Sequence, residues 1–220
     1  MIWLSKSKIL TYLDCAYRYK LLYIDKIEVP PTYAMERGTE IHQLLENFYD
    51  YVRKGNGIMN YARGTKHYNS IRKFLEMEAE RYEYLVSKGK VEDFYPVEQE
   101  IKISNNVLGL SGIIDAIYRN NGSYVVIDYK TSDYSKDHWD IEIPFYVYLI
   151  NRSELEYKID YGGYFFLNKY GYIKKVNSSH IRNIQKVIRR VRNRMEEKKF
   201  PYNEEKCEYC FVKKYCDLWK

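Results

Sequence analysis

Hydrophobic and polar residues alternate along the chain in two periods, one helical and one typical of strands. Apolar and aromatic residues recur every three or four positions in five segments, and Ser5 or Ser7 can cap the first of them. Pro30 and Pro31 end that first helical segment before the next begins. The pattern predicts helices over 5–23, 33–53, 66–87, 137–151 and 178–198.

Runs rich in valine, isoleucine and tyrosine predict the strands. They cover 94–104, 106–119 and 123–130, and a further hairpin spans 158–167 and 170–176 with its turn at 168–171. Asn121-Gly122 between two such runs is typical of a two-residue hairpin loop, because both positions need positive φ. Counting outward from this loop pairs Asn120 with Ser123. The alternation of strands and helices predicts an α/β core wrapped by helices.

The same count places two carboxylates opposite each other, Asp115 on one strand and Asp128 on the next. Directly opposed side chains share a face, with Cβ atoms about 4.5–5.5 Å apart. Lys130 points to the same face because it lies two residues beyond Asp128. Like charges so close repel each other, and hard divalent cations prefer carboxylate oxygens. The hairpin therefore predicts a divalent metal site.

Composition and charge permit this chemistry without requiring it. The 220 residues include 36 basic and 30 acidic ones, a formal net charge of +6, which is compatible with a polyanionic partner. The 26 tyrosines offer stacking surfaces for single-stranded bases, although compositional bias explains most of them equally well. No apolar stretch approaches the ~20 residues of a membrane span, and the first residues do not resemble a signal peptide. We expect a cytoplasmic protein.

Four cysteines fall in an unequal pattern, Cys15 far from Cys207, Cys210 and Cys216. Structural disulfides are rare in the expected compartment, so the thiols predict a metal site or reactive groups. Zinc usually takes two closely spaced pairs of ligands, whereas four thiolates suit a [4Fe–4S] cluster. Either metal would tie the first helix to the C-terminus, and the residues alone leave both open.

Four short motifs follow one another in a recognisable order. They are Gly38-x3-His42-x2-Leu45-Glu46, Gly112-Ile113-Ile114-Asp115, Asp128-Tyr129-Lys130 and Glu142-x3-Tyr146. With the cysteines, this series resembles the PD-(D/E)XK nuclease superfamily, in particular its RecB-like branch and the stand-alone Cas-four exonucleases linked to CRISPR. The last motif departs from the family's Q-x3-Y by a glutamate in place of glutamine. The resemblance spans nearly the whole chain, from Cys15 to Cys216.

The resemblance implies a fold and an architecture. The fold class is α/β (α+β), a restriction-endonuclease-like core with a central mixed sheet flanked by helices, formed by a single domain over 1–220. Segments 1–30 and 199–220 would jointly form an iron–sulfur clasp. An N-terminal cysteine with a C-terminal C-x2-C-x5-C is the arrangement of the AddB and Cas-four type nucleases, which favours [4Fe–4S] over zinc.

The resemblance also implies site residues for phosphodiester hydrolysis. Mg²⁺ or Mn²⁺ would be held by side chains and one backbone carbonyl, from His42, Asp115, Asp128 and Tyr129, and an imidazole ligand suits manganese better. Lys130 would orient or deprotonate the attacking water and stabilise the phosphate, with Asp115 and Asp128 as the other catalytic residues. Glu98 or Glu100 is a further candidate ligand. For His42 and the Asp128–Lys130 tripeptide, a structural or solvated role is the alternative.

Candidates for DNA contact lie on two predicted helices. Glu142 and Tyr146 share one helical face and could contact the scissile strand. Arg189 and Arg192 belong to a basic run that would touch the DNA backbone, or else forms an ordinary solvated face. No G-x4-G-K-[ST] loop is present, so any motor activity would come from a partner.

The sequence therefore predicts a metal-dependent DNA nuclease that prefers single strands or DNA ends. By resemblance it would be an exonuclease that trims ends during CRISPR adaptation, with an integrase as partner. A repair or viral replication nuclease of the same fold is the alternative setting. A catalytically weak DNA-binding scaffold and a zinc-clasped structural protein are the alternatives from other classes.

Overall fold

The computed structural model describes residues 2–120, 122–131 and 138–219. Its helices are α1 (Lys6–Asp14), α2 (Ala16–Tyr19), α3 (Tyr33–Arg53), α4 (Tyr68–Ser87), α5 (Trp139–Ile150) and α6 (Ser178–Glu196). Its strands are β1 (Glu98–Asn105), β2 (Leu110–Asn120), β3 (Ser123–Lys130), β4 (Tyr161–Phe166) and β5 (Lys169–Lys175). Within the described ranges no helix is long and apolar enough to cross a membrane.

The strands form one mixed sheet in the order β1-β2-β3-β4-β5. Neighbouring strands are antiparallel except β3 and β4, which are parallel and connected through α5. A parallel pair needs a crossover connection, and a helix supplies it here. The predicted mixed sheet flanked by helices is confirmed.

The sheet separates two hydrophobic cores. Val126 of β3 belongs to the core built with α1, α5 and α6, whereas its neighbours Val125 and Ile127 belong to the core built with α3 and α4. Successive side chains of a strand point to opposite faces, which explains the division. Since both faces of β3 are covered, its middle residues are buried and any charge on them needs a partner.

The β2–β3 hairpin has the register that the sequence predicts. Pairs run from Asn120↔Ser123 to Ala116↔Ile127, so the next step along the hairpin brings Asp115 beside Asp128. Gly122 has a φ of +82°, as the tight turn requires. Asn121, the other predicted loop residue, lies outside the described residues.

The first predicted helix is wrong as a single element over 5–23. The backbone becomes extended at Cys15, with φ −158° and ψ 109°, and α2 starts immediately afterwards. The sulfur of Cys15 accepts a hydrogen bond from the backbone N–H of Arg18, so this cysteine caps α2. A π-helical segment, Lys20–Ile24, then completes the region.

Several predicted ends shift for local reasons. The strand predicted from 94 begins at Glu98, because Val91–Phe94 forms a 3₁₀ turn. The strand predicted from 106 begins at Leu110, after a turn in which Gly109 has positive φ. The second hairpin turns more tightly than predicted, with Phe166 paired to Lys169. The helix predicted over 33–53 has the predicted ends, whereas α4, α5 and α6 show smaller shifts. Asp137, the predicted start of α5, lies outside the described residues.

Candidate active site

Three ligand-type side chains converge where α3 meets the edge of the sheet. His42 of α3, Glu100 of β1 and Asp115 of β2 place one ligand atom each within 4.8 Å of one another. His42 Nδ1 lies 3.7 Å from Glu100 Oε1 and 4.0 Å from Asp115 Oδ2. Glu100 lies between the pairs Gln99↔Ala116 and Ile101↔Ile114, with a left-handed φ of +48°. An imidazole and two carboxylates form a donor set suited to a divalent cation.

Asp115 is the buried member of this group. The backbone N–H of Tyr129 donates a 2.8 Å hydrogen bond to its Oδ2. Burial, followed by repulsion from Asp128, raises the pKa of Asp115 to about 7, against the opposing effects of His42, Lys6 and the hydrogen bond. Without a cation, this carboxyl group therefore holds its proton far above the usual range.

His42 is shifted in the complementary direction. The neighbouring carboxylate of Glu100 raises the pKa of the imidazole, and the charges of Asp115 and Asp128 reinforce the shift against desolvation. Imidazole and carboxylates therefore share protons in the absence of a cation. Binding of a cation would displace those protons, as it does at carboxylate and histidine sites in general.

Two lysines occupy the other half of the site. Lys130 Nζ lies 2.7 Å from Asp128 Oδ2 and 2.7 Å from Glu142 Oε2. Lys6 Nζ lies 2.7 Å from Asp128 Oδ1 and 3.7 Å from Glu142 Oε1. The two ammonium groups and two carboxylates thus form a closed ring of alternating charge, in which each carboxylate contacts both lysines.

Burial and pairing fix the protonation states in this ring. Burial disfavours the charged form of Lys6, yet Asp128, Tyr146 and Glu142 raise the pKa of its ammonium group well above the usual range. Lys6 and Lys130 together hold the pKa of Asp128 below its usual value despite its burial. At neutral pH the charged ammonium group of Lys6 therefore faces an ionised Asp128.

Aromatic rings flank both lysines. Lys6 Nζ lies 5.0 Å from the centroid of the Tyr146 ring, and Lys130 Nζ lies 4.4 Å from that of Tyr164. The Tyr164 hydroxyl also donates a short hydrogen bond to Glu142. Glu142 and Tyr146 are only 5% and 3% exposed, and each lies against one of these lysines. Their contact with the scissile strand stays a prediction.

The structure adds residues that the sequence did not point to clearly. Of the two predicted alternatives, Glu100 joins the metal-type group and Glu98 does not. Lys6 was not predicted at all. A signal did exist, since Lys6 is the first residue of α1 and a cation is unfavourable at a helix N-terminus unless something compensates.

A second buried network holds the residue between Asp128 and Lys130. The Tyr129 hydroxyl lies 2.5 Å from that of Tyr118 and 3.3 Å from that of Tyr49. Tyr49 donates to Glu78, a fully buried carboxylate that Arg81 binds through two nitrogens at 2.7 and 3.0 Å. This network lies on the face of the sheet that α3 and α4 cover, and it anchors β3. The opposite face of β3 carries Asp128 and Lys130.

The four cysteines, predicted as one group, line a single recess between the two ends of the chain. None of them is in a disulfide. The two chain ends are bound to each other beside it: Tyr17 N–H donates to the Pro201 carbonyl, and Tyr12 Oη to that of Lys199. Arg18, Lys206 and Lys213 also line the recess. The Nε of Arg18 is buried and has no hydrogen-bond partner among the residues that the structure describes.

The two arginines predicted to contact DNA differ in their surroundings. Arg189 is exposed on α6. Arg192 instead donates hydrogen bonds to the backbone carbonyls of Ile2, Leu108 and Gly109, at 2.5–3.2 Å. Its guanidinium thus joins the N-terminal segment to the β1–β2 turn, which leaves Arg189 as the freer of the two.

Comparison with known proteins agrees with this geometry. The model of the PD-(D/E)XK nuclease superfamily matches residues 3–217. No curated protein matches the sequence. The crystal structure of a candidate exonuclease from Eubacterium rectale is similar over 99% of this chain and 89% of that chain, with 15% identity and a TM-score of 0.57. The structure of SSO0001 is more distant, with 17% identity, coverage of 81% and 84%, and a TM-score of 0.36.

Proposed function

The chain belongs to the PD-(D/E)XK nuclease superfamily, and on this basis we propose that it is a metal-dependent deoxyribonuclease acting at single strands or DNA ends. The observation that carries the proposal is the juxtaposition of the His42–Glu100–Asp115 group with the Lys6–Asp128–Lys130–Glu142 ring. A cation site beside the fixed ammonium group of Lys130 can stabilise the negative charge that develops during hydrolysis of a phosphodiester.

The donor set fits Mg²⁺ or Mn²⁺, and the imidazole favours manganese. When bound, such a cation would supply positive charge against the phosphate oxygens on which negative charge develops. We propose His42, Glu100 and Asp115 as its side-chain ligands. Asp128 and the carbonyl of Tyr129, both expected as ligands from the sequence, stay proposals, and in this structure both oxygens of Asp128 contact lysines.

Lys130 is the proposed catalytic lysine. Asp128 and Glu142 hold its ammonium group between them, and the Tyr164 ring covers one side, so its position is fixed before substrate arrives. From there it can donate a hydrogen bond to the attacking water or to a phosphate oxygen. We assign Asp128 to holding this ammonium group in place.

For the cysteine recess we propose a [4Fe–4S] cluster. Tetrahedral zinc at ~2.3 Å from each sulfur would bring the sulfurs to about 3.8 Å of one another. Among the described residues, no three of the cysteine sulfurs lie within 4.8 Å of one another; the group that meets this distance is His42, Glu100 and Asp115. The sulfurs are therefore spaced more widely than a tetrahedral zinc site needs. A wider arrangement, basic lining residues and the unpartnered Nε of Arg18 fit a larger, anionic group that accepts hydrogen bonds.

The cluster would have a structural role, because phosphodiester hydrolysis transfers no electrons. When bound, it would supply four bonds that close the two chain ends on each other. The contacts of Tyr12 and Tyr17 with the segment around Pro201 already join the same ends. Segments 1–30 and 199–220 would then act as one clasp on a single nuclease domain.

The substrate and the setting rest on the sequence resemblance. We propose exonuclease action on DNA ends during CRISPR adaptation, with an integrase as partner and Arg189 as a contact to the DNA backbone. A repair or viral replication nuclease is the alternative with the same chemistry, and a weakly active DNA-binding scaffold is the alternative without it.

The test is cleavage of end-labelled single-stranded DNA with Mn²⁺, Mg²⁺ or EDTA, by the wild type and by Lys130→Met. We expect cation-dependent cleavage that the substitution abolishes, and resistance of a circular single strand if ends are required. Lys8→Met, in the same helix as Lys6 but outside the site, is the matched control. A folded wild type that cleaves nothing with either cation would favour the scaffold.

A further inference from the structure

Lys6 is a second lysine on Asp128, and hydrolysis with Lys130 as the catalytic lysine does not by itself explain its presence. It comes from the first turn of α1, far from the catalytic hairpin in sequence, and its ammonium group is nearly enclosed, with the side chain 19% exposed. Asp128 already has a lysine on its other oxygen, 2.7 Å away. Burying a second ammonium group beside the same carboxylate costs desolvation free energy, which attraction to a further negative charge can offset. Glu142 supplies that charge.

The formal charges of the site show what Lys6 changes. Once a cation has displaced the protons shared by His42 and Asp115, the carboxylates of Glu100, Asp115, Asp128 and Glu142 carry −4 and the two lysines +2, which leaves −2 before the charge of the cation is counted. A single divalent cation neutralises that remainder. Without Lys6 the remainder would be −3, and the site with one cation would still repel a phosphodiester anion.

We propose that Lys6 is a second active-site lysine, paired with Glu142, which lets the site accept a phosphodiester with one divalent cation bound. The proposal deepens the nuclease function and rests on it. Lys6 and Glu142 form a compensating pair: each charge is tolerated in the interior because the other is present. Removal of one therefore disturbs the site more than removal of both.

The first arm of the test measures cation binding without hydrolysis. Mn²⁺ is titrated calorimetrically into the wild type, Lys6→Met, Glu142→Gln and the double variant. Lys6→Met leaves a more negative site, so we expect Mn²⁺ to bind roughly fivefold more tightly or better. A purely structural role for Lys6 predicts the opposite, because a disordered site binds a cation more weakly. The double variant has the wild-type formal charge, and its affinity should return to within about twofold of the wild type.

The second arm measures cleavage of single-stranded DNA at a fixed Mn²⁺ concentration. We expect Lys6→Met to raise KM for DNA about tenfold with a smaller change in kcat, because the phosphodiester is repelled before it reacts. Adding Glu142→Gln should recover most of this loss. Lys6→Arg, which keeps the charge, should stay closer to the wild type than Lys6→Met, and Lys8→Met should leave both constants unchanged.

The outcomes separate this proposal from the nuclease proposal. Opposite shifts in Mn²⁺ and DNA affinity, with recovery in the double variant, support Lys6 as the charge-balancing lysine. Parallel loss of both, or a double variant no better than Lys6→Met, overturns it while leaving the nuclease function intact. A wild type that binds Mn²⁺ but cleaves no DNA overturns the nuclease function, and the titration still decides the role of the pair. A wild type that binds no Mn²⁺ overturns both.

Discussion

Replacing Asp115 by asparagine should stabilise the cation-free protein at neutral and alkaline pH while removing its cation affinity. Asparagine has the shape of aspartate, and its carbonyl can still accept the hydrogen bond from the N–H of Tyr129. What it removes is a buried negative charge next to Asp128. The residue on which the proposed activity depends is thus one that weakens the fold.

The magnitude follows from the pKa of Asp115. Burial and Asp128 raise it from 3.8 to about 7 in the folded protein. Each pH unit of difference corresponds to ~1.4 kcal/mol, so full ionisation of Asp115 costs about 3–6 kcal/mol of the free energy of unfolding. The unfolded chain releases this proton at lower pH than the folded protein does. Stability due to this group is therefore complete below about pH 4 and is lost as pH rises to about 7.

Urea denaturation of the wild type and Asp115→Asn between pH 4 and pH 8.5, in the presence of EDTA, measures the effect. We expect the variant to be more stable by about 3–6 kcal/mol well above pH 7 and the difference to shrink steadily towards pH 4. Adding Mn²⁺ at pH 8 should stabilise the wild type and leave the variant unchanged, because a ligand that binds the folded state stabilises it.

Two results would contradict this reasoning. A pH-independent difference between the two proteins would mean that Asp115 ionises normally in the folded state. A variant that is less stable than the wild type at pH 8 would mean that the carboxylate makes contacts worth more than its desolvation.

Three further predictions concern the surroundings of the site. Tyr129→Phe should lower the free energy of unfolding by about 1–3 kcal/mol, measured by urea denaturation, because it removes the buried hydrogen bonds of its hydroxyl with those of Tyr118 and Tyr49. Gly163→Ala should destabilise the protein by about 3 kcal/mol and lower its Tm, since the new Cβ would lie 1.8 Å from the carbonyl oxygen of Tyr172. Cys210→Ala should remove bound iron and brown colour, and Arg18→Met should make the iron easier to remove with a chelator. Absorbance and metal analysis measure both effects. Undiminished iron in Cys210→Ala would argue against the cluster.

The geometry of the β2–β3 hairpin was predictable because it depends on local sequence. Asn121-Gly122 sets the register, and the register alone brings Asp115 beside Asp128 and places Lys130 on the same face. Because successive side chains of a strand point to opposite faces, Asp128 and Lys130 lie on one face of β3 and Tyr129 on the other. None of this requires knowledge of distant parts of the chain.

Residues delivered by other elements were harder to predict. Periodicity could not distinguish Glu98 from Glu100, because the left-handed φ of Glu100 breaks the strand alternation. Nothing near Lys6 in the sequence reveals a carboxylate 122 positions away. The interruption at Cys15 was missed because apolar residues continue at helical spacing on both sides of it, and the break depends on a cap made by the cysteine itself.

Helix α1 has its first residue on Asp128 and its last residue next to Cys15, with nine residues and about 13 Å between the two ends. One short segment of the chain thus contributes Lys6 to the ring around Asp128 and Cys15 to the cysteine recess. A truncation that removes the proposed clasp also removes Lys6 from Asp128, and a graft of the hairpin onto another scaffold would leave that lysine behind. The proposed clasp is therefore not a detachable module, and deletion experiments on it cannot be interpreted as loss of the cysteines alone.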